Sequence, residues 1–205
     1  MTERLAGLTG ATIETAPAVC RTCVWWQARA GRDVDKGRWI ERVEDDWGAW
    51  GSLYYDDDRR LLGSIQYGPA SAFPRAAELP GGPPSQDAAL VTCSYLTHGS
   101  APWVLQSLFL AAIGDVKDRG AGALEAFAYR YDEGESNEER FRVHRTVFPS
   151  DFLADFGFVP VRTAGRVELA RLELGGLQPV AEGSREKVLR IVKEAFAPAP
   201  VPQRP

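Results

Sequence analysis

The chain has no apolar run approaching the ~20 residues that span a bilayer. A helical anchor, and with it a membrane partner, is not expected from its 205 residues. Met1 to Gly10 lacks the basic-then-apolar layout of a secretory signal. A basic excess is missing too: 24 Lys and Arg stand against 28 Asp and Glu, for a formal net charge of -4. Proteins that replace counterions on phosphates carry the opposite balance, so nucleic acid is not an expected partner. Cysteine is scarce, with only Cys20, Cys23 and Cys93. An odd count without a signal argues against a disulfide framework and for a reducing cytoplasm. Histidine is limited to His98 and His144. No second Cys-x-x-Cys or His pair stands near Cys20 and Cys23, so no four-ligand metal site is expected. No internal repeat is visible.

Apolar residues make up 44% and charged residues 25%, an ordinary soluble composition. The length suits one compact domain. Residues 1–196 are assigned to it, and the proline-rich stretch 197–205 reads as a disordered tail.

Hydrophobic periodicity predicts the elements. Leu8 to Ile13 reads as a short strand, followed by an apolar, tryptophan-bearing segment from Cys20 to Gln27. Asp33 to Trp50 reads as a helix with Trp39, Ile40, Val43 and Trp47 on one face, its end bracketed by Gly48 and Gly51. Gly51 to Tyr55 and Leu61 to Tyr67 form a hairpin around Asp56 to Arg60. Gly68 to Asp87 holds Pro69, Pro74, Pro80, Pro83 and Pro84 and reads as a long loop. Ala88 to Leu96 is a strand. Ser100 caps a helix from Ala101 to Asp118, which buries Val104, Leu105, Leu108, Phe109, Ala112 and Val116 and stops at Gly120. Gly122 to Tyr129 is a strand, and Asp132 to Glu139 an acidic loop. Pro149 to Phe156 is a short helix ending before Gly157. Phe158 to Val161 and Val167 to Leu174 are the closing strands, and Arg185 to Phe196 is an amphipathic helix. The order predicts an α/β domain with one mixed central sheet flanked by helices.

That order resembles the GNAT superfamily of acyl-CoA-dependent N-acetyltransferases. The resemblance lies in Leu90 to Leu96 as the strand before the cofactor loop, and in Leu108-Phe109 through Asp118-Arg119-Gly120 as the helix after it. Ala123 to Phe127 resembles the next strand, and Phe152 to Phe158 the short helix that ends at Gly-Phe. Cys20-Arg21-Thr22-Cys23-Val24-Trp25-Trp26, Asp46-Trp47-Gly48 and Tyr67-Gly68-Pro69 are similar to segments of a narrower bacterial subgroup. The resemblance covers most of residues 5 to 196. It implies acetyl-CoA as cofactor, a small-molecule amine as acceptor, and a backbone donor for the thioester oxygen within Cys93 to Leu96.

The family's cofactor loop, Arg/Gln-x-x-Gly-x-Gly/Ala, is degenerate here. Glycines let the backbone approach phosphate, and a helix N-terminus offers free N–H groups and a positive dipole end. A gapless reading sets Ser100-Ala101-Pro102-Trp103-Val104-Leu105 on this motif. Ser100 replaces Arg or Gln, Trp103 the central glycine and Leu105 the last small residue, and Pro102 removes an N–H. His98-Gly99-Ser100 still suits a small anion nest. Tyr95, Leu96, Gly99, Ser100 and Trp103 are therefore the candidate cofactor contacts.

Glu125, flanked by apolar residues, is the candidate general base, or else a strand-end acid that is solvated or paired. Tyr67 and His144 are further candidates for proton transfer, as is His98. Tyr67 and Tyr95 also read as amphipathic core residues. Trp26, Trp47, Tyr95 and Asp151 are candidate substrate contacts. Asp151 reads equally well as an early-helix acid favoured by the dipole. Trp25, Trp26 and Trp103 are expected in one cleft, where aromatic walls suit an apolar or cationic ligand. Cys20 and Cys23 are expected as buried or partly buried thiols against Trp25 and Trp26, and Cys93 as a small core residue. The stripe Val188, Leu189, Val192 and Phe196 suits either a docking or homodimer contact or packing onto the chain's own sheet. Two functions follow. One is an N-acetyltransferase acting on a small amine. The other is a GNAT-like protein that has lost acyl-CoA binding and binds a partner or another ligand, or does other chemistry in the cleft.

Overall fold

A computed structural model describes residues 4–97, 102–132 and 144–176. The expected helix 185–196, the tail, His98, Gly99, Ser100 and most of the acidic loop lie outside the described residues.

The elements in chain order are β1 (Leu5–Gly7), α1 (Ala18–Thr22), α2 (Lys36–Asp46), β2 (Gly51–Tyr55), β3 (Leu61–Pro69) and β4 (Ala88–Leu96). Then come α3 (Pro102–Asp118), β5 (Ala123–Tyr129), β6 (His144–Arg145), β7 (Phe148–Pro149), α4 (Ser150–Ala154), β8 (Val159–Ala164) and β9 (Val167–Glu173). They build one mixed sheet in the order β1-β2-β3-β4-β5-β9-β8. β4 and β5 run parallel across the α3 crossover, and all other neighbours on this path are antiparallel. This is the α/β arrangement the sequence predicts.

Three local expectations are corrected. The first strand is Leu5–Gly7 rather than Leu8 to Ile13. The Thr12 hydroxyl donates to the Gly7 carbonyl at 2.7 Å and accepts from the Thr9 N–H at 2.9 Å, which folds the next residues into a turn. The first long helix spans Lys36–Asp46, shorter than Asp33 to Trp50. Asp35 caps it by accepting from the Arg38 N–H at 2.9 Å, so residues 33–35 stay outside. The segment from Gly68 to Asp87 is not a plain loop. Two 3-10 turns, Ala70–Ala72 and Pro74–Glu78, hold Phe73 and Ala76 fully buried.

The sheet separates two cores. Under α3, Phe109 meets the rings of Phe148, Phe152 and Phe156 at 4.9, 5.0 and 5.5 Å. Leu105, Leu108, Ala112 and Val116 join it, as the helical stripe predicts. Gly120 ends this element at φ +77°, a conformation that only glycine adopts cheaply. On the opposite face Trp39 and Val43 of α2 pack with Trp26, Trp50, Leu90 and Phe127. No described helix is long and apolar enough to cross a membrane.

Candidate functional site

The tryptophan-rich face encloses a cavity of about 380 Å³. Its walls are Leu8, Val19, Trp25, Trp26 and Trp50, with Ser64 and Gln66 from β3 and Cys93, Ser94 and Tyr95 from β4. Cys20, Cys23, Lys36 and Thr146 complete it. The short α1 carries Val19 and Cys20 over the sheet, and the N-cap of α2 aims Lys36, its first residue, at the same space. Trp26 stacks on Phe127 at 5.9 Å and receives the edge of Trp25 at 4.8 Å.

The floor is polar and internally satisfied. The Gln66 side-chain oxygen accepts from Thr92 Oγ1 at 2.9 Å and from Gln27 Nε2 at 3.3 Å. A shift in register between Gln66 and Tyr67 lies beside it: Gln66 pairs with Cys93 but Tyr67 with Val91. The extra residue, Thr92, turns Cys93 towards the cavity.

All three cysteines therefore meet in one place, half-buried and unbridged. Burial pushes the Cys20 thiol up to about 11 and the Cys93 thiol up to about 12. The same cause lowers the Lys36 ammonium. Among the described residues no group of three His, Cys, Asp or Glu is placed to hold a metal ion.

Trp26 and Tyr95 are the expected site residues that line this cavity. Glu125, Tyr67, Trp47, Leu96, Trp103 and Asp151 lie outside its lining. Glu125 is fully buried at the start of β5; it accepts from the Ser85 N–H at 2.8 Å and the Ser85 hydroxyl at 2.6 Å, and lies 3.3 Å from Arg171. Its surroundings are those of the paired acid. Tyr67 faces α3, where its hydroxyl lies 2.9 Å from Ser52 Oγ and donates to Asp115 at 2.9 Å. Burial raises that phenol above its ordinary value. Trp47 is half-buried between the two cores, its ring under the Arg119 guanidinium and its carbonyl accepting from Arg119. Leu96 is buried in the α3 core. Trp103 packs there too, at 5.7 Å from the Tyr54 ring, so it does not share a cleft with Trp25 and Trp26. The reason is that the helix bearing it crosses to the other side of the sheet. Asp151 is exposed on α4, and its carboxylate accepts from the Phe152 N–H.

Lys36 was missed by sequence reasoning, as was the convergence of Cys93 with Cys20 and Cys23. An N-cap aspartate followed by lysine signals a helix start and nothing about where the ammonium goes.

The expected cofactor place tests differently. β4 and β5 pair from Ala88↔Ala123 to Val91↔Ala126 and part beyond. The gap is taken by the chain itself: His144 and Arg145 pair with Tyr95 and Ser94, while Phe148 and Pro149 pair with Ala128 and Tyr129. An acyl thioester reaching the Cys93–Leu96 backbone along this edge would meet β6. Among the described residues, the edge of β4 at Ser94 and Tyr95 is therefore occupied by backbone of this chain.

No family model matches the chain, and no curated protein does either. Among solved structures it is similar to a GCN5-related N-acetyltransferase from Kribbella flavida, at 14% identity over 83% of this chain and 96% of that one, with a TM-score of 0.45. A ribosomal-protein-alanine N-acetyltransferase from Brucella melitensis is similar at 14% identity over 83% and 99%, with a TM-score of 0.46. An N-acetyltransferase from Staphylococcus aureus Mu50 is similar at 13% identity over 83% and 97%, with a TM-score of 0.46.

Proposed function

We propose that this chain is a GNAT-like protein repurposed to bind a small ligand without coenzyme A. The observation that carries the reading is the pairing of Ser94 and Tyr95 with β6. In the family the resemblance points to, this stretch supplies the backbone donor for the thioester. Backbone seated against this edge competes with a thioester for the N–H groups that face it. The replacement of the loop glycines by Trp103 and Leu105 supports the same reading, since side chains there keep phosphate from close approach. What remains for a ligand is the cavity under α1 and α2, whose volume lies at the low end of the roughly 300–1,000 Å³ usual for small-molecule sites.

Calorimetric titration with acetyl-CoA and with free coenzyme A tests this. No saturable signal is expected at millimolar concentration. Micromolar binding would overturn the reading and restore the acetyltransferase, with a small amine as acceptor.

A further inference from the structure

The charge inside the cavity is of the wrong sign for an amine. Lys36 is the single charged residue of its lining, and neither Asp nor Glu is among the lining residues. The Lys36 ammonium donates to the Cys23 carbonyl at 3.0 Å and sits 4.6 and 4.9 Å from the ring centroids of Trp39 and Trp50. Among the described residues no carboxylate pairs with it. An ammonium has three donors, so capacity is left for a ligand. A cation held in apolar surroundings without a counter-charge is costly, and an anion brought to it recovers part of that cost. Of the lining indoles, Trp50 already has the Lys36 ammonium over its ring and Trp25 has the Arg75 guanidinium at 5.2 Å. An incoming amine would meet a like charge instead.

Above the polar floor the walls are largely apolar. Leu8, Trp26 and Trp50 are buried around the cavity, while Val19 and Trp25 line it and are 51% and 41% exposed, which marks its open side. We propose that the cavity takes a compact apolar carboxylate, with its hydrocarbon or aromatic body against Trp25, Trp26 and Trp50 and its carboxylate on Lys36. The proposal deepens the ligand-binding reading above and rests on it for there being a small ligand at all.

The test uses three probes with similar apolar bodies: phenylacetate, phenylacetamide and phenethylamine. Each is titrated into the full chain by calorimetry and followed by tryptophan fluorescence. Phenylacetate is expected to bind at least about tenfold more tightly than either of the others, in line with a charge-assisted hydrogen bond. Lys36→Met, which keeps the stem and removes the charge, is expected to abolish that preference without weakening the amide. Lys36→Arg should retain it. Equal or tighter binding of phenethylamine overturns the proposal, as does a carboxylate preference that survives Lys36→Met or the absence of saturable binding by all three probes. The coenzyme A titration is independent of this outcome. Coenzyme A binding with an intact carboxylate preference would defeat the previous reading and leave this one standing.

Discussion

The two faces of the central sheet are built from similar amounts of aromatic residue and behave in opposite ways. Under α3 the rings of Phe109, Phe148, Phe152 and Phe156 interlock edge-to-face or stacked within 5.5 Å. Beside them Ser52, Tyr67, Asp115 and Arg119 form one hydrogen-bonded chain. Under α1 and α2 the tryptophans are larger and less interlocked. They stand around a cavity, with thiols and one ammonium on its wall. Single six-membered rings gathered around Phe109 interlock closely, whereas the bulkier indoles around α1 and α2 leave space between them. The first face is filled by its own rings, and the second keeps the space to which the ligand-binding proposal is tied.

The sharpest way to break this contrast is Phe109→Ala. It removes a fully buried ring from the α3 face and should cost about 3–5 kcal/mol in urea unfolding. A loss below about 1 kcal/mol would mean that this face is as loosely packed as the other. Next comes Glu125→Gln. The buried carboxylate holds Ser85 and Arg171, so the substitution should cost about 1–3 kcal/mol. It should leave phenylacetate affinity unchanged, because Glu125 is not part of the cavity wall. Changed affinity with unchanged stability would return Glu125 to the binding machinery.

The smallest effect concerns the thiols. The folded-state values of about 11 for Cys20 and about 12 for Cys93 lie above the ordinary 9.0. The native state therefore holds these protons more tightly than the unfolded chain. The resulting stability is fully present below pH ~9 and is lost as pH rises towards ~11–12. Cys93→Ala should flatten the alkaline fall in melting temperature relative to the unmodified chain. An unchanged slope would show that Cys93 is not buried in the way described.

Much of the scaffold was legible in the sequence. The α3 stripe, the strand Ala88 to Leu96 and the stop at Gly120 all follow from periodicity and a C-terminal glycine, which act over one or two turns of chain. The site was less legible. Trp26 and Tyr95, expected as substrate contacts, line the cavity, while Trp103, expected in one cleft with Trp25 and Trp26, packs across the sheet from them, because a helix position alone does not say which side of a sheet the helix crosses. Glu125 was identified as an acid in apolar surroundings, but its partner Arg171 is 46 residues away and had no signal in the sequence.

Segment by segment, the chain specifies the class of fold, the two apolar helical faces and the absence of glycine from residues 101–105. These are properties of single segments, fixed by side-chain period and backbone freedom. Tertiary structure decided the rest. It brought Cys93 on a bulged strand to Cys20 and Cys23, turned Lys36 inward over two indole rings, and laid His144 and Arg145 along the edge of β4. Each of these joins residues dozens of positions apart. Such contacts form because separate segments must cover a common sheet and satisfy its edges, a requirement written in no segment alone.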